Sequence, residues 1–354
     1  MKTFVLLLCC FQLAAQVQLT NSGATDLKSR VIHISNSEIN LPDQSFKLMD
    51  DYRVEIPYQL VEDGVLVLVD LTAVETKTVT AVVGKPMEVI SRTFARYVPE
   101  RLDDFAWEND KIAFRAYGQA LEGTSGDAYG FDVWVKRTTD LVIDRRYTHG
   151  DYHNDLGDGL DYYKVGLTLG AGNNAPIGKN GIAYSKNYHR YKILENGPLR
   201  TVFVLEYDPW MVEGTEVRAH KKFTIEAGSQ FYKLETTYYF DGKDELAVAV
   251  GIVDRPGKGT TFLDEQNGIL AYWEPQHGKD GTTGIAVIGA DLSEMSLQAE
   301  QWITQTKVTS GKSLVYYVGA AWDKAGEITN AQQWINYCIQ EKTQVENPTI
   351  KIIK

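Results

Sequence analysis

Thiol chemistry is nearly missing from this chain. Of its three cysteines, Cys9 and Cys10 fall in an apolar leader and only Cys338 lies beyond it. A lone thiol forms no internal disulfide, so stability has to come from a packed core. Also missing are a GxSxG elbow, a P-loop, a dinucleotide fingerprint, an HExxH pair and a paired CxxC. Elbow serine hydrolases, P-loop kinases and nicotinamide enzymes are thereby set aside. Positive charge is scarce: 36 Lys and Arg face 47 Asp and Glu, a net charge of −11. That balance argues against nucleic acid and anionic membranes as partners. Beyond the leader no apolar run is long enough to span a bilayer. Long helical patterns between strands are lacking too, which disfavours parallel βαβ folds.

What is present begins with Met1-Lys2-Thr3, the apolar run Phe4–Phe11 and the small-residue exit Ala14-Ala15. This reads as a signal peptide over residues 1–16, hence an exported protein, periplasmic or secreted. The chain as a whole is 44% hydrophobic with 20 tyrosines, a globular composition. Period-two alternation dominates and predicts strands at Arg53–Val61, Gly64–Leu71, Thr76–Val83, Lys111–Tyr117 and Phe131–Lys136. The same pattern marks Thr201–Tyr207, Glu216–Ile225, Phe231–Phe240, Leu246–Ile252, Gly284–Ile288 and Ser313–Val318. The expected fold is all-β, a large antiparallel sandwich with few helices. A β-rich portion over 17–86, packed on a main domain over 87–354, is the expected division. One helix is expected over Asn330–Lys342, capped by Thr329 with Gln332 completing a capping box. Its stripe Ala331, Trp334, Ile335 and Cys338 places the thiol in packing. The tail Gln344–Lys354 reads as a final strand or strap.

Residues 145–164 carry the densest chemistry. They hold two of the six histidines, four aspartates, four tyrosines, two arginines and a lysine. The pattern predicts a polar site on an irregular loop. His149 or His153 is suited to proton transfer near neutrality, with Tyr152, Tyr162 and Lys164 assisting. Arg145, Arg146 and Lys164 are suited to holding a carboxylate, and Arg101 and Arg115 are expected to join Lys164 in doing so. Asp151, His153 and Asp155 alternate and raise the possibility of a divalent cation, although glycine is missing where an EF-hand needs it; no cofactor is otherwise expected. Upstream, Arg96, Arg101, Asp104 and Trp107 precede the strand that carries Arg115, whose face is expected to be open. Trp134 lies between Asp132 and Lys136 on one strand face. Trp107 and Trp134 are candidate sugar-stacking platforms, and His189 and His277 are further candidates for lining the cleft. His220 shares a strand face with Lys222 and Thr224.

The stretches Glu100–Arg115, Asp132–Arg137 and Asp151–His153 through Asp161–Gly166 resemble a secreted bacterial family catalogued as domain of unknown function 4861. That family is similar to ulvan oligosaccharide dehydratases. The resemblance implies a β-supersandwich of the mutarotase-like kind. It also implies removal of water from a non-reducing-end uronic acid, leaving a 4,5-unsaturated sugar. The substrate expected is an acidic oligosaccharide. Basic groups would neutralise its carboxylate, which makes the adjacent C5–H more acidic. The alternatives are a glycoside hydrolase with paired carboxylates among Asp104, Glu108 and Asp151, and a glycan-binding protein without catalysis.

Overall fold

A computed structural model describes residues 15–354. The apolar run Phe4–Phe11, and with it the expected leader up to Ala14, lies outside the described residues, while Ala15 and Gln16, expected to end the leader, open a strand. Two compact units emerge, residues 15–89 with 349–354, and residues 90–348.

The first unit has two antiparallel sheets. One is ordered Ile350–Ile353, Ala15–Asn21, Thr76–Val83, Phe46–Met49; the other Leu27–Ser35, Gly64–Leu71, Tyr58–Val61. Alternate residues Val17, Leu19, Ile32, Ile34, Val65, Val67 and Val79 meet in its core. The tail forms the strand expected of it, with Ile352 paired to Leu19.

The second unit is a larger all-β sandwich. Its eight-stranded sheet runs in the order 190–196, 200–212, 215–226, 231–240, 313–322, 283–288, 269–273, 260–264. Two five-stranded sheets accompany it: 181–182, 171–178, 246–253, 301–308, 293–298, and 159–160, 131–136, 113–116, 104–109, 93–98. All three sheets contribute to one core. Within it Trp107 lies with ring centroids 5.0 Å from Phe223, 5.4 Å from Phe203 and 5.5 Å from Tyr232.

Trp107 is therefore not a sugar platform: it is 0% exposed. Its position on the inner face follows from period two, which sets Phe105 and Trp107 against Phe114 and Phe131. Trp107→Ala is expected to cost about 3–5 kcal/mol, because nothing nearby can refill the cavity. Urea unfolding followed by circular dichroism reads that loss directly.

The polar run before Arg115 is itself regular structure. It folds as a hairpin of Thr93–Val98 and Asp104–Asn109, turned by one 3-10 turn at Pro99–Arg101. The helix α2 (Ala331–Glu346) starts one residue later than its expected cap implies. Asn330 accepts from the Gln333 amide, and Thr329 donates through both its amide and its hydroxyl to the Gln333 side chain. Trp334 and Cys338 are buried against Phe231, Ala286 and Ile288, as the stripe predicted.

Candidate active site

The strands Asp104–Asn109, Ala113–Ala116 and Phe131–Lys136 bury their second face too, and that face is charged. Alternation directs Asp104, Glu108, Arg115, Asp132, Trp134 and Lys136 away from the aromatic core. Arg115 stands opposite Ala106 on one side and Asp132 on the other. The expectation of an open face at Arg115 is corrected: the residue is 4% exposed. Its Nε and Nη2 reach Asp132 Oδ2 at 2.8 and 2.7 Å, and its Nη1 reaches Asp104 Oδ2 at 3.2 Å. Nη2 also reaches Asp161 Oδ2 at 3.0 Å. Tyr117 donates to Asp132 and Tyr147 to Asp104. A buried guanidinium needs such company, because isolated charge is costly away from water. Burial pushes Asp104 up to about 6 against the pull of Arg115 and Arg101. Burial, reinforced by Asp132, pushes Asp161 well above the carboxylate range.

What covers this face is the segment expected to be an irregular loop. It begins as a helix, α1 (Ile143–His149). Its start is set from a distance: both Glu108 oxygens accept from the Val142 and Ile143 amides at 2.8 Å, while Lys136 pairs with Glu108 at 2.7 Å. A carboxylate at a helix N-terminus satisfies orphan amides and the positive end of the dipole. Gly150 ends the helix in the left-handed region at φ 76. Arg146 then stitches the following loop down, donating to the Asn154 carbonyl at 3.0 Å and to that of Gly159, and pairing with Asp158. Gly159 sits at φ +118, and an added Cβ there would lie 1.9 Å from the Val135 carbonyl oxygen. Gly159→Ala is expected to cost about 1–3 kcal/mol of strain and to release the loop. Faster hydrogen exchange over residues 151–161 checks it.

The segment Asp161–Lys164 is extended, so its side chains alternate. Asp161 and Tyr163 are buried, Tyr162 is half-buried on the other side and Lys164 is exposed. At one end His153 Nδ1 lies 2.9 Å from the Asp161 carbonyl oxygen. A carbonyl only accepts, so Nδ1 carries the proton and the neutral ring keeps its lone pair on Nε2. The His153 side chain is 63% exposed. Beside it Arg101 Nε donates to the Tyr152 hydroxyl at 2.6 Å. The terminal nitrogens of Arg101 have no hydrogen-bond partner among the described residues. Tyr152 stacks on Trp134 at 5.0 Å and lies under Arg115.

At the other end, Tyr162 stacks on His277, centroids 4.9 Å apart and 15° from parallel. The Tyr162 hydroxyl meets Thr283 Oγ1 at 2.5 Å, and burial keeps the phenol protonated well past its usual range. His277 Nδ1 faces Asp280 Oδ2 at 3.3 Å and its side chain is 56% exposed. Tyr163 lies under Arg255, which donates to the Lys164 carbonyl at 2.5 Å and pairs with Glu274 at 3.0 Å. Burial pushes Glu274 up to about 7 despite Arg255.

The fold thus gathers Arg101, Tyr152, His153, Tyr162, Lys164 and His277 around one short segment, with Asp104 and Arg115 beneath as its support. The other candidates are corrected. His149 is exposed at the end of α1 and bonds none of these groups. Arg96 is committed to Glu100, Asp144 and the Tyr97 carbonyl. Arg146 is committed to the loop. Trp134 is buried and supports Tyr152 instead of offering a face. His189 is held between Asp208 at 2.6 Å and Glu122 at 3.4 Å, bonding no group of this segment. The cation set fails as well. Asp151 accepts from Asn154, and Asp155 pairs with Arg137 while accepting from the Gly157 and Gly159 amides. Among the described residues no group of three or more His, Cys, Asp or Glu is arranged to hold a metal. Of the carboxylates considered for hydrolysis, Glu108 anchors α1 and Asp104 rests on Arg115.

Sequence reasoning missed Glu274, Arg255 and Thr283. Their one signal is position: Glu274 follows the apolar strand Ile269–Trp273 directly, where a strand end becomes a site edge.

Two solved structures from Enterococcus faecalis are similar to this chain. One, described as an alpha-mannosidase, aligns at 8% identity and a TM-score of 0.48, covering 96% of this chain and 46% of its own. The other, a protein in glycosyl hydrolase family 38, aligns at 9% identity and a TM-score of 0.49. The chain spans about half the length of these structures. "Uncharacterized protein P7" of Formosa agariphila is 31% identical over 280 residues, 73% of this chain and 69% of that protein. Residues 19–350 match the family described as Domain of unknown function (DUF4861), and the chain belongs to that family.

Proposed function

We propose that the protein is a carbohydrate-active lyase that removes water from the non-reducing-end uronic acid of an acidic, ulvan-like oligosaccharide. One arrangement carries the reading: a base and a proton donor stand on neighbouring links of one segment, beside an uncommitted guanidinium. His153 Nε2 takes the C5 proton. Tyr162, a phenol kept neutral by burial, gives a proton to the C4 oxygen, which leaves as water while the C4–C5 double bond forms. Arg101, with Lys164, holds the sugar carboxylate, and pairing there stabilises the negative charge that develops as C5–H breaks. The Tyr162–His277 stack offers a flat surface to the neighbouring sugar. The resemblance to oligosaccharide dehydratases supports the same chemistry.

Incubation with uronate-terminated oligosaccharides tests this. The expected result is rising absorbance of a conjugated enoate and a product lighter by one water. A product heavier by one water, with a new reducing end, would mean hydrolysis instead. Binding with no change in mass would leave only a glycan-binding role.

A further inference from the structure

Glu274 and Thr283 lie directly opposite each other where the strands Ile269–Trp273 and Thr283–Ile288 open into their loop. The Glu274 amide donates to the Thr283 carbonyl at 3.0 Å, one step beyond the pair Trp273 and Gly284. Opposed residues of an antiparallel pair project to one face. On that face Thr283 Oγ1 meets the Tyr162 hydroxyl at 2.5 Å. Glu274 Oε1 accepts from Arg255 Nε at 3.0 Å, and Oε2 has no hydrogen-bond partner among the described residues. The carboxyl is nearly enclosed, and its charge is felt by Tyr162, Tyr163 and Tyr272 alike. The charged and titratable groups around it are Arg255, Asp254 and these three phenols; Asp280 and Asp323 also act on Tyr162.

We infer that Glu274 is a positioning residue that supplies protons to Tyr162 through the Thr283 hydroxyl, so that the site has a built-in proton reservoir at its His277 end. The inference rests on the elimination reading above. In the step, the Tyr162 O–H bond breaks as its proton joins the departing C4 oxygen. Thr283 passes its hydroxyl proton to the phenolate, and the Glu274 carboxylic proton replaces it once Oε2, which is not bonded to Thr283 in the structure, turns onto the Thr283 Oγ1 opposite. Glu274 ends as a carboxylate beside Arg255 and regains a proton from water. The proton that His153 removed from C5 returns to water, so protons balance over a turnover. Glu274 serves only while protonated. With its carboxyl pushed up to about 7, the supply fails as pH rises through that value.

The test has two arms, both on the full chain. In the first, tyrosine labelled with carbon-13 at the ring carbon bearing oxygen is followed by NMR from roughly pH 5 to 9, a span that brackets a near-neutral acid. The Tyr162 signal, assigned with Tyr162→Phe and followed in a His277→Asn background that removes the stacked imidazole, is expected to inflect near the Glu274 titration when Glu274 is present and to run flat when Glu274→Gln is added. No inflection, or the same inflection in Glu274→Gln, overturns the coupling, and this arm needs no substrate. In the second, wild-type kcat for unsaturated product is expected to fall as pH rises through about 7. Glu274→Gln and Thr283→Val are each expected to lower kcat about 100-fold, flatten that limb and leave KM within about twofold; Glu274→Asp restores part of the rate. Variants that lose rate while keeping the wild-type pH profile overturn the relay. If the wild type forms no unsaturated product, the elimination reading falls, and the NMR arm still decides whether Glu274 and Tyr162 are coupled.

Discussion

Arg115→Met is expected to destabilise the larger unit by about 3–5 kcal/mol at neutral pH, the usual cost of removing one partner from a buried ion pair. Here one cation faces Asp104, Asp132 and Asp161. The variant leaves all three carboxyls in a dry site with Tyr117, Tyr147 and the Val133 amide donating to them. The pH dependence separates this cause from a mere packing defect. Burial already raises Asp104 from 3.8 to about 6 with Arg115 present. A raised carboxyl holds its proton more tightly in the folded than in the unfolded chain, so its contribution to stability falls as pH rises between those values. Without Arg115 only Arg101 and the Tyr147 hydrogen bond oppose the desolvation of Asp104, and the window extends upward. The variant should therefore regain most of its loss as pH falls below about 6. Thermal melts of wild type and variant across that range check it. A loss that stays constant with pH would mean that methionine simply packs badly. Arg115→Lys keeps the charge but not the fork that meets several carboxylates at once, and is expected to lie between the two.

How much of this arrangement could be read from residues alone follows from which forces are local. Period two located Gly64–Leu71, Thr76–Val83, Phe131–Lys136 and Phe231–Phe240 with the bounds that the structure has. It did not find Asp104–Asn109, a strand that is wholly buried with three of its six residues polar, so no alternation of apolar and polar residues marked it. The same cause misplaced Arg115 and Trp134: a charge on a strand normally marks the wet face, but α1 dries this one. That helix has no signal of its own in residues 143–149, because its capping carboxylate, Glu108, lies 35 positions upstream of Ile143. The site was legible where it depends on one short segment, as with Tyr152, His153, Tyr162 and Lys164. It was not legible where partners come from distant strands. Glu274 and Arg255 are 19 positions apart and follow strands of two different sheets, so they meet only where those sheets pack together.

The catalytic reading turns on His153 and makes a sharp contrast with its neighbour in sequence. His153→Ala is expected to lower kcat for the elimination by 10²–10⁴-fold, about the contribution of a positioned base. Stability should hardly change, since the ring is mostly in solvent and makes one hydrogen bond, to the Asp161 carbonyl at 2.9 Å. Such a bond contributes about 1 kcal/mol. His149→Ala removes a second imidazole only four residues away, yet His149 is exposed at the end of α1 and bonds none of the site groups, so the change should leave kcat unchanged. Because the lost group is a base with an open path to solvent, added imidazole should restore part of the rate in His153→Ala. Melting curves for both variants exclude unfolding as the cause. A His153→Ala protein within threefold of wild type, or equal losses in the two variants, would remove His153 from the reaction. The C5 proton would then need another acceptor, and the outward face of the segment offers Tyr162 and Lys164 as the groups to test next.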